Sequence, residues 1–270
     1  MMGQPVVVAL LVTTVVFLGL PHGAMDPMVA ISSGLVKTIR QMCVFLMLYV
    51  LIAALALLLW VVSPWLALTV FLLQSVWHFS EDWTGELPAW QRMVVASLII
   101  IAPAVFHGAE TERIFAILVQ ADAIALILGL QLFGFFALPL FIYTVLGLFR
   151  SNSLCALELG GILLLAWLLP PLLFFVVYFC ALHSPRHIIE WVERETFNAQ
   201  QYLFVVLIVT VLTSAAGFAI ATGLRFEETP SAAIYVVFVG LAVLTVPHMI
   251  LIQHVRGEGS ASKKGQQSSV

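Results

Sequence analysis

The chain has 270 residues, of which 62% are hydrophobic and 9% charged, with a formal net charge of −3. A soluble domain carries about a quarter charged residues, so this chain lacks the polar surface to wrap a water-soluble globule, and lipid has to do the wrapping. No basic stripe points to nucleic acid, and no acidic run points to a solvated tail.

In chain order, Val6 to Leu20 is the first apolar stretch. It has no Lys or Arg before Pro5, so it reads as a retained membrane helix and not as a cleaved signal peptide. Cys43 to Val62 is a full-length span without one charge. Trp65 to Phe79 and Met93 to Phe106 are shorter, and each lies against a histidine. Ile114 to Phe149 is too long for one span, and Gly129 and Gly134 offer a tight turn within it. Leu154 to Leu182 is also overlong, with Pro170-Pro171 to divide or kink it. Tyr202 to Leu224 and Ala232 to Ile252 complete the spans. The expected architecture is all-α: one polytopic transmembrane bundle over residues 1–256, with eight to ten helices. A Gly/Ser/Gln/Lys-rich tail over 257–270 should be disordered. Lys37 and Arg40 mark one loop, while Arg256, Lys263 and Lys264 mark the C-terminus, and the positive-inside rule favours a C-terminus on the cytoplasmic side of the cell membrane. Cys43, Cys155 and Cys180 lie in apolar stretches and read as buried small hydrophobes.

Ionisable residues inside a membrane are costly and mark function by default. His22 and His78 end two of the spans, while His183 and His187 form His-x-x-x-His. On a continuous helix the last pair shares one face. Alternatively, Ser184 caps a new helix with Pro185 at its first position, and the two histidines straddle a break. Imidazole is a common ligand for Fe, Zn and Cu, and metal-bound histidines usually donate their second N–H to a carboxylate. Asp26, Glu81, Asp82 and Glu190 each lie within four residues of a candidate ligand. Any one histidine alone reads as an interfacial polar residue; the joint pattern of His22, His78, His183 and His187 points to a metal. His254, beside Arg256, reads as interfacial. His107 lies beside Glu110 and Glu112 and balances between the two readings. His248 is a buried ligand or a hydrogen-bonding wall residue. His22-Gly23-Ala24 and His107-Gly108-Ala109 look alike, which reads as chance. Trp77, Phe79, Phe175, Tyr178 and Phe179 are candidates to line an apolar tunnel.

At these residues the chain resembles the Brp/Blh family of microbial membrane proteins that make retinal. The resemblance rests on Gly19-Leu20-Pro21-His22-Gly23-Ala24-Met25-Asp26, Trp77-His78-Phe79, His183-Ser184-Pro185-Arg186-His187 and Pro247-His248-Met249. Ser80 departs from it, standing where glycine is expected. The resemblance implies a non-haem Fe(II) dioxygenase that cleaves β-carotene with O2 to all-trans-retinal for a microbial rhodopsin. It puts the iron ligands on His22, His78, His183 and His187. Asp26 and Glu81 are the first choices for the carboxylates that orient those rings. The rival readings are a transporter relaying protons through His and Asp/Glu, a two-metal desaturase-like oxidase, and a carotenoid-binding or opsin-assembly protein without turnover.

Overall fold

The computed structural model describes residues 5–194, 198–223 and 230–267, and these form ten helical stretches with no strand among them. The first, α1, is the apolar segment Pro5–Ser32. It is followed by α2 (Ile39–Val62), α3 (Pro64–Ser80), α4 (Ala89–Phe106), α5 (Gly108–Val119), α6 (Ile124–Ser151) and α7 (Ser153–Leu168). Then come α8, which runs from Pro171–Phe175 through Val176–His183 into Ser184–Arg194, α9 (Ala199–Gly223) and α10 (Pro230–Gln267). Seven of the ten are long and apolar enough to cross a membrane; α7, with 16 residues, is a shorter apolar helix, and α3 has 17.

Local chemistry explains several boundaries. Thr38 caps α2 through a capping box with Gln41, which satisfies backbone donors at the helix start. Pro170-Pro171 does divide the long apolar run, with α7 ending at Leu168 and Pro171 opening α8. The turn expected at Gly129 or Gly134 is not there, because both glycines lie inside α6. The chain turns earlier, after Gln120, which ends α5 in a left-handed conformation (φ 55°). Gly134 serves packing instead: a Cβ there would stand 2.5 Å from Val105 on α4. It lets α4 and α6, which pack along each other, approach closely. The last helix continues to Gln267, into the polar segment for which composition argues disorder, as a helix can propagate from a formed span at little cost.

Burial is uneven. The core runs through α1, α3, α4, α5, α6, α7, α8 and α10. By contrast, none of the most apolar window of α2 and 6% of that of α9 are buried within the protein, so these two helices turn most of their side chains to lipid.

Candidate metal centre

Two widened turns shape the site. In α1, Val15–Gly19 is π-helical just before Pro21; in α8, Val176–His183 is π-helical just before Pro185. Proline has no N–H and crowds the carbonyl four residues back. Those carbonyls, of Phe17 and Ala181, fall inside the widened turns, which absorb the disruption without ending the helix. Ser184 is therefore not a cap, and its backbone is helical. Its hydroxyl donates to the Leu18 carbonyl, stapling α8 to α1. The two π turns meet where Gly19 faces Phe179; a Cβ on Gly19 would stand 2.7 Å from that ring.

This packing brings five imidazoles together: His22 from α1, His78 from α3, His183 and His187 from α8, and His248 from α10. All five are buried. The His22 ring centroid lies 5.5 Å from His183, 5.5 Å from His187, 5.2 Å from His248 and 6.5 Å from His78. His78 is 4.7 Å from His183 and 5.3 Å from His248, and His187 is 5.0 Å from His248. One ring nitrogen each from His22, His78 and His248 all fall within 4.8 Å of one another. His22, expected at the end of its span, lies well inside it, since α1 runs on to Ser32.

The outer nitrogens fix which atoms face inward. His22 Nδ1 donates to the Gly19 carbonyl. His183 Nδ1 donates to Asp82, at 2.9 and 3.0 Å from its two oxygens, and His248 Nδ1 to Asp26 Oδ1 at 2.8 Å. In a neutral imidazole the other nitrogen then carries a lone pair. Each carboxylate also accepts from a tyrosine: Tyr178 reaches Asp82 Oδ2 and Tyr49 reaches Asp26 Oδ2, both at 2.8 Å. The Nε2 atoms of His187 and His248 are buried without a hydrogen-bond partner. His183 Nε2 and His78 Nε2 are 3.1 Å apart. Ligands roughly 2.1 Å from one ion and at right angles would be about 3 Å apart. Converging lone pairs, orphaned buried nitrogens and this spacing all fit a cation of the imidazole-loving kind, Fe among them.

The supports differ from those expected. Asp26 holds His248, not the nearby His22. Glu81 does not hold His78: its Oε2 pairs with Arg256 at 2.5 Å, and Arg256 also reaches Glu190 at 3.0 Å. Burial pushes the Glu81 carboxyl above its usual range against the pull of Arg256. Asp82, one residue further on, takes the supporting role. It sits on the short 3₁₀ turn Glu81–Trp83, fixed where Glu158 accepts from Trp83 Nε1 at 3.2 Å and pairs with Arg186. Tyr49 gave no signal at all as a single hydroxyl within an apolar run. Of the candidate tunnel residues, Phe79 packs on His183 and Tyr178, and Phe179 on His22 and His183. Phe175 stacks on Phe179. Trp77, 51% exposed, turns outward. His107 stands apart: its Nε2 meets the Trp167 carbonyl at 3.0 Å. His254 is exposed.

The family model described as "Beta-carotene 15,15'-dioxygenase" matches residues 13–256. The chain belongs to the β-carotene 15,15′-dioxygenase family. A β-carotene 15,15′-dioxygenase of uncultured marine bacterium 66A03 is 31% identical over 253 residues, 89% of this chain and 91% of that protein. No solved structure matches. The five histidines, both aspartates and both tyrosines lie within the segment that matches the dioxygenase family.

Proposed function

We propose that this chain cleaves the central double bond of β-carotene with O2, giving two all-trans-retinals, at an Fe(II) ion held by His22, His78, His183 and His187. The observation that carries the reading is the buried convergence of imidazole lone pairs inside an apolar bundle of the β-carotene 15,15′-dioxygenase family. Bound iron would supply the activation of O2 for which no amino-acid side chain suffices. The chain's own residues do the rest. Gly19 and Asp82 hold His22 and His183 in one tautomer and orientation through their Nδ1 atoms. Tyr178 keeps Asp82 an acceptor by donating to its second oxygen. Phe79 and Phe179 present apolar surface beside the rings, with Phe175 stacked behind Phe179, and exclude water from the reacting bond.

The substrate fits the setting. β-Carotene is about as long as the hydrocarbon core is thick, roughly 30 Å, and dissolves only there. A bundle in the bilayer takes it up sideways, and both oxygen atoms of O2 leave in the two aldehydes. Retinal is also apolar, so its receiver is a membrane protein such as a microbial rhodopsin. The enzyme lies in the cytoplasmic membrane with its C-terminus inside. Val36 packs with Trp191 and Ile252, Arg92 reaches Thr84 and Arg256 reaches Glu81, so Lys37, Arg40, Arg92 and Arg256 gather at one end of the bundle. That end faces the cytoplasm by the positive-inside rule.

The deciding experiment incubates purified protein in lipid nanodiscs with Fe(II), O2 and β-carotene and identifies the aldehydes. Retinal as the sole aldehyde, lost on chelating iron and restored by Fe(II), is expected. Retinal formation that survives complete iron removal, or cleavage away from the central bond, overturns the proposal.

A further inference from the structure

Two of the five imidazoles are held by the same three-part device. His183 Nδ1 donates to Asp82, whose Oδ2 accepts from Tyr178. His248 Nδ1 donates to Asp26, whose Oδ2 accepts from Tyr49. The Asp distances are 2.9 and 2.8 Å, and both tyrosine distances are 2.8 Å. The parts come from different elements. Tyr178 and His183 share α8 and meet Asp82 on the turn after α3, whereas Tyr49 on α2, Asp26 on α1 and His248 on α10 are far apart in the chain. The same chemistry has thus been assembled twice around one cluster, and each time the imidazole is left with an inward Nε2 lone pair.

His248 goes beyond the four ligands that the reading above assigns. Its Nε2 is buried without a hydrogen-bond partner, and the residue is 2% exposed. Its ring lies 5.0, 5.2 and 5.3 Å from those of His187, His22 and His78. One of its ring nitrogens lies with one each from His22 and His78 in a group whose members are all within 4.8 Å of one another. A buried acceptor nitrogen with no donor is costly in an apolar bundle, and a cation at the centre of the cluster removes that cost. A wall residue that only packs needs neither an oriented tautomer nor a carboxylate behind it.

We infer that His248 is a fifth metal ligand, and that Tyr49 is a positioning residue that orients it through Asp26, as Tyr178 does for His183 through Asp82. This rests on the proposed metal centre. It explains the Tyr49 hydroxyl on α2, a helix that otherwise turns mostly to lipid. A bound ion would then have fewer positions open to reactants than four histidines would leave.

Metal binding tests this without turnover. Metal-free wild type, His248→Ala, Asp26→Asn and Tyr49→Phe in nanodiscs are titrated with Co(II), whose visible bands report its ligand set, and the thermal stability of each metal-free protein is recorded. For His248→Ala, Co(II) affinity should fall 100-fold or more, with altered bands that free imidazole partly restores. Asp26→Asn and Tyr49→Phe should weaken binding about 10-fold or more, while metal-free Tyr49→Phe still folds and unfolds cooperatively, melting only modestly below wild type. Wild-type affinity and unchanged bands in His248→Ala overturn the fifth ligand, even if retinal formation is lost. Should His248→Ala fail to fold, Co(II) affinity of wild-type strength in both Asp26→Asn and Tyr49→Phe overturns it as well. Failure of wild type to bind either Co(II) or Fe(II) would sink the metal centre itself, a different result from a wild type that binds beside an indifferent His248→Ala.

Discussion

His22-Gly23-Ala24 and His107-Gly108-Ala109 share a tripeptide and almost nothing else. The first lies inside α1, where the helix runs on through a widened turn and Pro21. The second closes α4 and opens α5, with His107 out of the helical region at φ −132° and ψ 46°. His22 uses Nδ1 to grip its own helix and leaves Nε2 facing four other imidazoles. His107 spends its Nε2 on the Trp167 carbonyl and, among the described residues, has no imidazole neighbour. Even the glycines differ. A Cβ at Gly23 would meet nothing within 4 Å, while one at Gly108 would stand 2.5 Å from Gln131 Nε2. The chemistry of a histidine here is decided by what three other helices bring to it, and not by its neighbours in sequence.

The largest expected effect separates the two regions by metal content. Alanine at His22, His78, His183 or His187 should each remove most of the iron and nearly all retinal formation, whereas His107→Ala keeps wild-type iron. Elemental analysis of the purified variants measures it. Full iron in two of the four cluster variants, or iron loss in His107→Ala, breaks the comparison.

Next in size is the support behind the rings. Asp82→Asn should cost 10–100-fold in metal affinity or activity without abolishing either, because the imidazole remains and only its orientation and charge balance suffer. Glu81→Gln severs one of the contacts of Arg256 and leaves Asp82 and His183 in place, so its iron should stay close to that of wild type. Chelator-competition titrations on both variants rank them, and equal losses would deny Asp82 its special place. Acid should act on the cluster in the same direction as these changes. Ligand imidazoles must be neutral, and protons compete with the metal. Bound iron and activity should therefore be lost together in acid and persist at neutral pH. Activity lost in acid with iron fully retained would point to another titrating group.

Much of this was legible in the sequence, for identifiable reasons. Composition requires a helical membrane bundle, because lipid tolerates no unpaired backbone. Pro170-Pro171 ends a helix wherever it occurs, and it does so here. Histidines in apolar surroundings announce a site because nothing else justifies their burial. What was not legible depends on rotation and register between helices. Asp26 lies four residues from His22 yet turns to His248, 222 residues away in the chain. Glu81 is nearer to His78 in sequence than Asp82 is, but the 3₁₀ turn after α3 sends Glu81 towards Arg256 and Asp82 towards His183. The long run over 114–149 breaks at Gln120, which an L-residue in left-handed backbone makes difficult to foresee, and its glycines serve helix contact.

The smallest expected effect returns to the two glycines and asks whether they are as different as their surroundings. Gly23→Ala places a methyl in open space on a helix, and alanine is up to about 1 kcal/mol better than glycine in a helix interior. Thermal stability should hold or rise slightly, with iron unchanged because His22 keeps its bond to Gly19. Gly108→Ala drives a methyl into the Gln131 amide, which donates to the Ala104 carbonyl at 2.9 Å and helps tie α6 to α4. Gln131 is a flexible side chain and can move, but moving it strands an amide donor in an apolar bundle. A lost neutral hydrogen bond costs about 0.5–1.5 kcal/mol, more where no water replaces it, and the helix-propensity gain at the first turn of α5 only partly offsets this. Gly108→Ala should thus melt a few degrees below wild type while keeping its iron, and Gly108→Ala with Gln131→Leu should recover part of the loss, since the stranded donor is then gone. If Gly23→Ala is the less stable of the two single variants, the open space beside His22 is not open, and the packing assigned to that face of α1 is wrong.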